Sequence, residues 1–142
     1  MRLNRSTDIS LRILMLGAAC DDRLTIDELA EALVVPRHHL AKVVQRLQHL
    51  GLLETVRGRS GGVRLAATAH STSIGGLVRE LEGETEVADC EGERACPLSQ
   101  ACRLRGALRH AQEAFYATLD PITVADLSAP PARQVLLSLG RR

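Results

Sequence analysis

Residues 37–66, which read RHHLAKVVQRLQHLGLLETVRGRSGGVRLA, decide the fold of this 142-residue chain. The first fourteen predict a helix over 37–50, because apolar residues recur at helical spacing along one stripe. The stripe consists of Leu40, Val43, Val44, Leu47 and Leu50. Gly51 then ends the helix, and two short β-prone runs at 52–56 and 63–66 flank a basic, glycine-rich turn. The stretch therefore predicts a helix that leads into a β-hairpin.

A first helix is predicted over residues 7–20, with Ser6 or Thr7 as its cap. Asp8 falls in its first turn, where an acidic side chain suits the helix dipole. The apolar face of this helix consists of Ile9, Ile13, Leu16 and Cys20. We therefore interpret Cys20 as a core residue.

A second, shorter helix is predicted over residues 26–33, because Thr25 and Glu28 have the spacing of a capping box. Pro36 suits the first position of the helix that follows. Two short helices joined by so short a turn have the outline of a helix-turn-helix, and the hairpin after them adds a wing. The sequence therefore predicts a mainly α fold with a small β-hairpin wing, a winged helix-turn-helix.

Two further helices are predicted in the second half of the chain, over residues 73–83 and 98–119. The longer one carries an apolar stripe made of Leu104, Leu108, Ala111, Phe115 and Leu119. A chain of this length has little left to cover that stripe. We therefore predict a homodimer, with this long C-terminal helix as the dimerisation helix.

Positive charge is concentrated on the predicted recognition helix and hairpin. Residues 35–70 carry six basic side chains and one acidic one, whereas the whole chain has a formal net charge of only +1. Duplex DNA attracts such a patch through its phosphates, so we favour DNA binding over a merely solvated surface. The residues predicted to face the major groove are Arg37, His38, Lys42, Gln45 and Arg46. On the hairpin, Arg57 and Arg59 are predicted to reach phosphates or the minor groove.

Three cysteines, Cys90, Cys96 and Cys102, lie in an acidic segment, with five residues between each cysteine and the next. Three thiols so close in sequence can converge on one inorganic centre. The spacing fits an iron–sulfur cluster better than zinc, which usually takes a tighter cysteine pair and four protein ligands. Zinc, a redox disulfide and three independent free thiols remain alternatives.

Composition excludes several classes of protein. No apolar run approaches the roughly 18–20 residues of a membrane helix, and 45% apolar with 25% charged residues is typical of a soluble globular chain. The sequence contains neither a nucleotide-phosphate loop nor a Ser/His/Asp arrangement, so nothing in it indicates an enzyme. We predict that the chain is a regulator in the cytoplasm, where thiols stay reduced. Its predicted parts are a winged helix-turn-helix DNA-binding domain at 1–70, an iron–sulfur loop and dimerisation helix at 71–128, and a C-terminal tail at 129–142.

Several motifs together resemble one known family. They are MRLNRSTDISLRILM at the start, HLAKVVQRLQHLG in the recognition helix, RGRSGGVRLA in the wing, and the run LVRELEGETEVADCEGERACPLSQACRLRGALRHAQEAFYATLDPITVADL. In these motifs the chain resembles the iron–sulfur winged-helix repressors of the NsrR and IscR family, and among them most closely the nitric-oxide sensors. The match spans about residues 1–128.

The resemblance implies a role for each matching residue. Cys90, Cys96 and Cys102 match the three cysteines that hold the cluster, which is expected to be 4Fe–4S, with 2Fe–2S as the alternative, one per subunit. In IscR-like members a histidine three residues after the last cysteine completes the site, and Arg105 stands there instead. Asp8 stands where NsrR-like members supply an aspartate ligand from the other subunit.

The function that the resemblance implies is that of a homodimeric repressor, which binds a palindromic operator while its cluster is intact. Nitric oxide would nitrosylate the cluster and release the operator DNA of nitric-oxide detoxification genes. The alternative is a winged-helix regulator that senses iron or redox state, or one that works through zinc or thiol chemistry.

Overall fold

The computed structural model describes residues 2–20, 22–58, 61–83 and 86–140. Its helices are α1 (Arg5–Ala19), α2 (Ile26–Leu33), α3 (Arg37–His49), α4 (Ile74–Glu82), α5 (Arg103–Leu119), α6 (Val124–Leu127) and α7 (Ala132–Gly140). Between α3 and α4 lie the strands β1 (Leu53–Val56) and β2 (Gly62–Leu65) and a 3₁₀ turn at Ala67–Ser71. This is the predicted order of a mainly α winged helix-turn-helix with one β-hairpin. None of the helices within the described ranges is both long enough and apolar enough to cross a membrane.

Helix α1 begins two residues earlier than predicted, and Asn4 is its cap. The Asn4 side-chain oxygen accepts a hydrogen bond from the Thr7 N–H at 2.8 Å. The predicted cap, Ser6 or Thr7, is therefore wrong, because both residues lie inside the first turn, where the Thr7 side chain is buried. Asp8 lies in the first turn, as predicted.

The helix-turn-helix is formed by α2 and α3. Both hydrogen bonds of the predicted capping box are present: the Glu28 N–H donates to Thr25 Oγ1 at 3.2 Å, and the Thr25 N–H donates to Glu28 Oε2 at 2.6 Å. Helix α2 has the predicted bounds for this reason. Pro36 is the N-cap of α3 rather than its first residue, since its ψ of 132° is not helical. Between the two helices, Val34 adopts a left-handed backbone with φ 53°.

The wing is attached to the chain ahead of α2. Strands β1 and β2 pair in antiparallel fashion, with Val56 opposite Gly62. Leu24 and Val63 exchange two backbone hydrogen bonds of 2.8 Å each, which hold the second strand to the helical core. Gly62 permits this approach, because a Cβ atom there would lie 2.6 Å from the Leu24 carbonyl oxygen. The hairpin therefore has a fixed orientation relative to α2 and α3.

Helix α5 begins at Arg103, and the predicted start near residue 98 is wrong. Cys102 has an extended backbone, with φ −79° and ψ 109°, and is the N-cap. Residues 98–101 form a turn, in which the Ala101 N–H donates to the Leu98 carbonyl oxygen at 3.1 Å. The last of the three clustered cysteines therefore lies at the N-terminus of α5.

Two packing contacts organise the second half of the chain, and the second of them reaches the winged helix. Helix α4 lies so close to α5 that a Cβ atom on Gly75 would be 2.4 Å from the Tyr116 carbonyl oxygen. Helix α7, for which the sequence predicted no element, packs against α1 and α2 and buries Leu136. The segment after residue 128 thus returns to the first two helices of the chain.

Candidate functional site

The exposed side of α3 and the adjoining hairpin form one polar surface, which we call the basic face. Its exposed members are Arg37, His38, Lys42, Gln45, Arg46 and Arg57. The opposite stripe of α3, with Leu40, Val43, Val44 and Leu47, is buried in the core. Burial of that stripe fixes which side of the recognition helix faces outwards. Arg59 of the predicted DNA-binding set lies outside the described residues.

Two arginines of the predicted DNA-binding set have partners within the chain. Arg37 forms an ion pair with Asp27 of α2. Arg46 Nη2 donates hydrogen bonds to the carbonyl oxygens of Glu80 and Leu81, both at 3.2 Å. These two carbonyls belong to the last turn of α4, and the partial negative charge at the C-terminal end of a helix attracts a cation. The side chain of Arg46 therefore connects the recognition helix to the end of α4, a contact that sequence spacing does not reveal.

The cysteine loop, residues 86–102, has no helix or strand, and its backbone forms short turns. The Cys96 N–H donates to the Cys90 carbonyl oxygen at 3.1 Å, and the Ser99 N–H donates to the Cys96 carbonyl oxygen at 3.0 Å. At the end of the loop, Cys102 Sγ accepts a hydrogen bond from the Arg105 N–H at 3.4 Å. All three thiols are partly exposed. The loop thus ends with Cys102 at the start of α5 and leaves all three thiols accessible.

Arg105 pairs with two of the acidic residues of this loop. Its Nε and Nη2 donate to the two carboxylate oxygens of Glu86 at 2.8 and 2.9 Å, and Nη2 lies 2.8 Å from Glu91 Oε1. The hydrogen bond from Arg105 holds the pKa of Glu86 below its ordinary value, and the same contacts raise the pKa of Arg105. The sequence analysis described this segment only as acidic and assigned Arg105 no partner.

Charges around Cys90 act in opposite directions on its thiol. Partial burial raises the pKa of Cys90 above its ordinary value, whereas the positive charge of Arg105 lowers it. The negative charge of Glu86 raises it further, as do the thiolates of Cys96 and Cys102 when these are ionised. Burial and the neighbouring negative charges thus oppose Arg105 at this thiol.

The donor chemistry of the loop fits an iron–sulfur cluster, because three soft thiolates are the ligands that such clusters take. Within the described ranges, no three His, Cys, Asp or Glu side chains converge closely enough to hold a single metal ion. Asp8 belongs to a different part of the surface, where its carboxylate pairs with Arg12 at 2.8 Å. As far as the described residues show, the cavity beside Asp8 shares no lining residue with the cavity beside Cys90.

Comparison with known proteins identifies the family. The Rrf2 family, described as iron-dependent transcriptional regulators, matches residues 3–130. The chain belongs to the Rrf2 family.

Two curated relatives match most of the chain. The HTH-type transcriptional repressor NsrR of Streptomyces coelicolor is 56% identical over 145 aligned residues, which cover 100% of this chain and 98% of that protein. The HTH-type transcriptional regulator NsrR of Geobacillus kaustophilus is 41% identical, and the alignment covers 89% of each chain.

Solved structures of other regulators share the fold. CymR, the global cysteine regulator of B. subtilis, has a TM-score of 0.69 at 21% identity, with 90% of this chain and 96% of that chain covered. IscR of T. potens has a TM-score of 0.67 at 20% identity, with coverage of 89% and 85%. The predicted family and the predicted winged helix-turn-helix are thus confirmed. The chain is a DNA-binding transcriptional repressor and not an enzyme.

Proposed function

We propose that this repressor is a homodimer that senses nitric oxide through an iron–sulfur cluster on the cysteine loop. With the cluster intact, the basic face binds operator DNA, and nitric oxide releases that DNA from genes of nitric-oxide detoxification. One observation carries the proposal: Cys90, Cys96 and Cys102 lie on a single accessible loop in a chain 56% identical, over its full length, to a repressor named NsrR.

Each ligand of the proposed cluster has a distinct chemical role. Cys90, Cys96 and Cys102 would hold the cluster, most simply 4Fe–4S, as soft thiolates. When bound, the cluster supplies iron that reacts with nitric oxide. Asp8 from the second subunit would complete the site, and its hard carboxylate is the weakest match for that iron. Support for ligation across subunits comes from the separate cavities of Asp8 and Cys90 within one chain.

The dimer contact would form along α5. Leu104 is 65% exposed and Phe115 is 36% exposed, and both belong to the apolar stripe predicted from the sequence. A second copy of α5 would cover this stripe and place the two basic faces for two operator half-sites, about one helical turn of DNA apart or a multiple of it.

Anaerobic purification tests the cofactor directly. We expect a brown protein with matched iron and sulfide, close to one cluster per chain. A colourless active protein that carries zinc, and that gains no iron on anaerobic reconstitution, would instead support a zinc- or thiol-based regulator. That result would contradict the nitric-oxide proposal and leave the DNA-binding part standing.

A mixed dimer tests the role of Asp8. One chain carries Asp8→Ala and keeps its cysteines, while the other carries Cys96→Ser and keeps Asp8. If ligation crosses between subunits, one of the two sites in this heterodimer is complete, and it retains about half the stable iron of the wild type. If Asp8 acts within its own chain, neither site is complete, and the heterodimer matches the two mutant homodimers.

The basic face is tested by the salt dependence of DNA binding. Replacing Lys42 or Arg57 with Gln should weaken binding to all sequences and reduce the slope of log affinity against log salt by about 1 for each lost phosphate contact. Lys42→Arg is the matched control, because it keeps the charge. An unchanged slope in both Gln variants would remove these residues from the interface.

A further inference from the structure

Arg105 is the one side chain in the described part of the cysteine loop region that joins both flanks of Cys90 to helix α5. Its guanidinium binds Glu86, four residues before Cys90, with two hydrogen bonds of 2.8 and 2.9 Å. The same group binds Glu91, the residue after Cys90, at 2.8 Å. Its backbone N–H donates to Cys102 Sγ. A single residue thus connects the first and last cysteines of the loop.

The loop has few other sources of order. No residue from 86 to 102 is buried, and the two large apolar side chains in this range, Val87 and Leu98, are both exposed. Turns span only a few residues each and do not connect the start of the loop to α5. Burial of apolar surface therefore contributes little, and the ion pairs of Arg105 are the main contacts that oppose the chain entropy of the loop.

The geometry of these ion pairs differs from that of an ordinary surface pair. The side chain of Arg105 is only 20% exposed, and its planar fork matches the Glu86 carboxylate with two parallel hydrogen bonds. Arg109, one helical turn further along, approaches Glu86 only to 3.9 Å and is 68% exposed. Most isolated surface pairs contribute little, whereas a bidentate arginine in a network is the recognised exception.

We infer that Arg105 is a positioning residue, which holds the cysteine loop folded with Cys90 and Cys102 at the start of α5 before any cluster is bound. The inference rests on the proposed function, because a loop held in this way is a preformed receptacle for a cluster. A preformed loop has less chain entropy to lose when its thiolates take up iron. Arg105 would thereby raise the rate of cluster assembly without being a ligand.

Hydrogen exchange on the cluster-free full chain tests this inference without any cofactor. In Arg105→Gln we expect amide exchange of residues 87–96 to accelerate by about tenfold, which corresponds to about 1.4 kcal/mol of lost local ordering. Exchange in α1 and α3 should not change. Arg109→Gln is the matched control, since it removes a neighbouring exposed arginine of the same helix, and it should leave loop exchange at the wild-type rate.

Two further variants separate positioning from a loss of general stability. Arg105→Lys keeps the charge but cannot make the bidentate contact, so its loop should exchange at an intermediate rate. The double variant Arg105→Glu with Glu86→Arg should exchange more slowly than Arg105→Glu alone, because the pair is restored in reverse. If Arg105→Gln fails to give wild-type circular dichroism, Glu86→Gln removes the same bidentate contact from the opposite side.

Cluster assembly supplies the second measurement. Anaerobic reconstitution of Arg105→Gln should be about tenfold slower than that of the wild type, and the final visible spectrum should be the same, since all three cysteines remain. If the wild type takes up no cluster, the proposed function fails. The hydrogen-exchange data still test the positioning role of Arg105 in that case. The inference would be overturned if the cysteine loop exchanged at the wild-type rate in both Arg105→Gln and Glu86→Gln, whatever the cluster content of these variants.

Discussion

The recognition helix and the cysteine loop are similar in length and are stabilised in different ways. Helix α3 buries four apolar side chains in the core, and the hairpin next to it is fixed by hydrogen bonds to the chain before α2. The cysteine loop buries no residue and depends on short turns and on the ion pairs of Arg105. The proposed DNA-binding surface is therefore held in place by the core. The cysteine loop has few contacts of its own, so a group bound to its thiols would add substantially to its order.

The largest expected difference between the two regions comes from the cysteines. Cys96→Ser should abolish stable binding of iron, because two thiolates remain where three are needed. In the cluster-free state its free energy of unfolding should stay within about 0.5 kcal/mol of the wild type, because Cys96 lies outside the core. Iron analysis and denaturant unfolding measure the two quantities. Cys20→Ala, which changes a cysteine packed on the core outside the loop, is the control and should retain its iron.

Truncation of one apolar side chain in each region sharpens the comparison. Leu47 of α3 is fully buried, so Leu47→Ala should lower the free energy of unfolding by about 2–5 kcal/mol. Val87 of the cysteine loop is exposed, so Val87→Ala should change it by less than about 0.5 kcal/mol. Urea unfolding of the cluster-free chain measures both. Equal losses at the two sites would show that the loop belongs to the same cooperative unit as the winged helix.

The sequence predicted those features of the structure that arise between residues close together in the chain, and it missed contacts between distant ones. Helix α2 was predicted to the residue, because its capping box is a local pattern that few other conformations satisfy. The start of α5 was missed, since the apolar periodicity gives no sign of the extended backbone at Cys102. The Arg46 contact with α4 and the Arg105 contact with Glu86 join residues 34 and 19 positions apart, which spacing rules for a single helix cannot detect.

Strain within the helix-turn-helix gives a smaller effect of the opposite sign. Val34 is 88% exposed and has φ 53°, a conformation that is unfavourable for a β-branched residue. Val34→Gly should therefore stabilise the chain by up to about 1 kcal/mol, since the relief of a left-handed backbone exceeds the extra chain entropy of glycine. Denaturant unfolding at constant m-value measures the change. A loss of stability would show that the Val34 side chain has a favourable contact in the folded chain.

The smallest expected effect is a pH dependence at the start of α2. Hydrogen bonds from the backbone and side chain of Thr25 lower the pKa of Glu28 from its ordinary value of 4.5. A lowered pKa in the folded state means that this contribution is fully present above pH 4.5 and is lost as the pH falls through the lowered value. Glu28→Gln should reduce the dependence of the free energy of unfolding on pH in this acidic range. Glu31→Gln, on an exposed side of the same helix, should leave the curve unchanged.

The central claim is that the state of the cysteine loop controls what the basic face binds. Its most direct test is an anaerobic titration with nitric oxide, in which visible absorbance and the fluorescence anisotropy of a labelled operator are recorded on the same sample. We predict that operator release follows the loss of cluster absorbance, with the two transitions at the same ratio of nitric oxide to cluster. An operator that stays bound after the absorbance has gone would contradict the account.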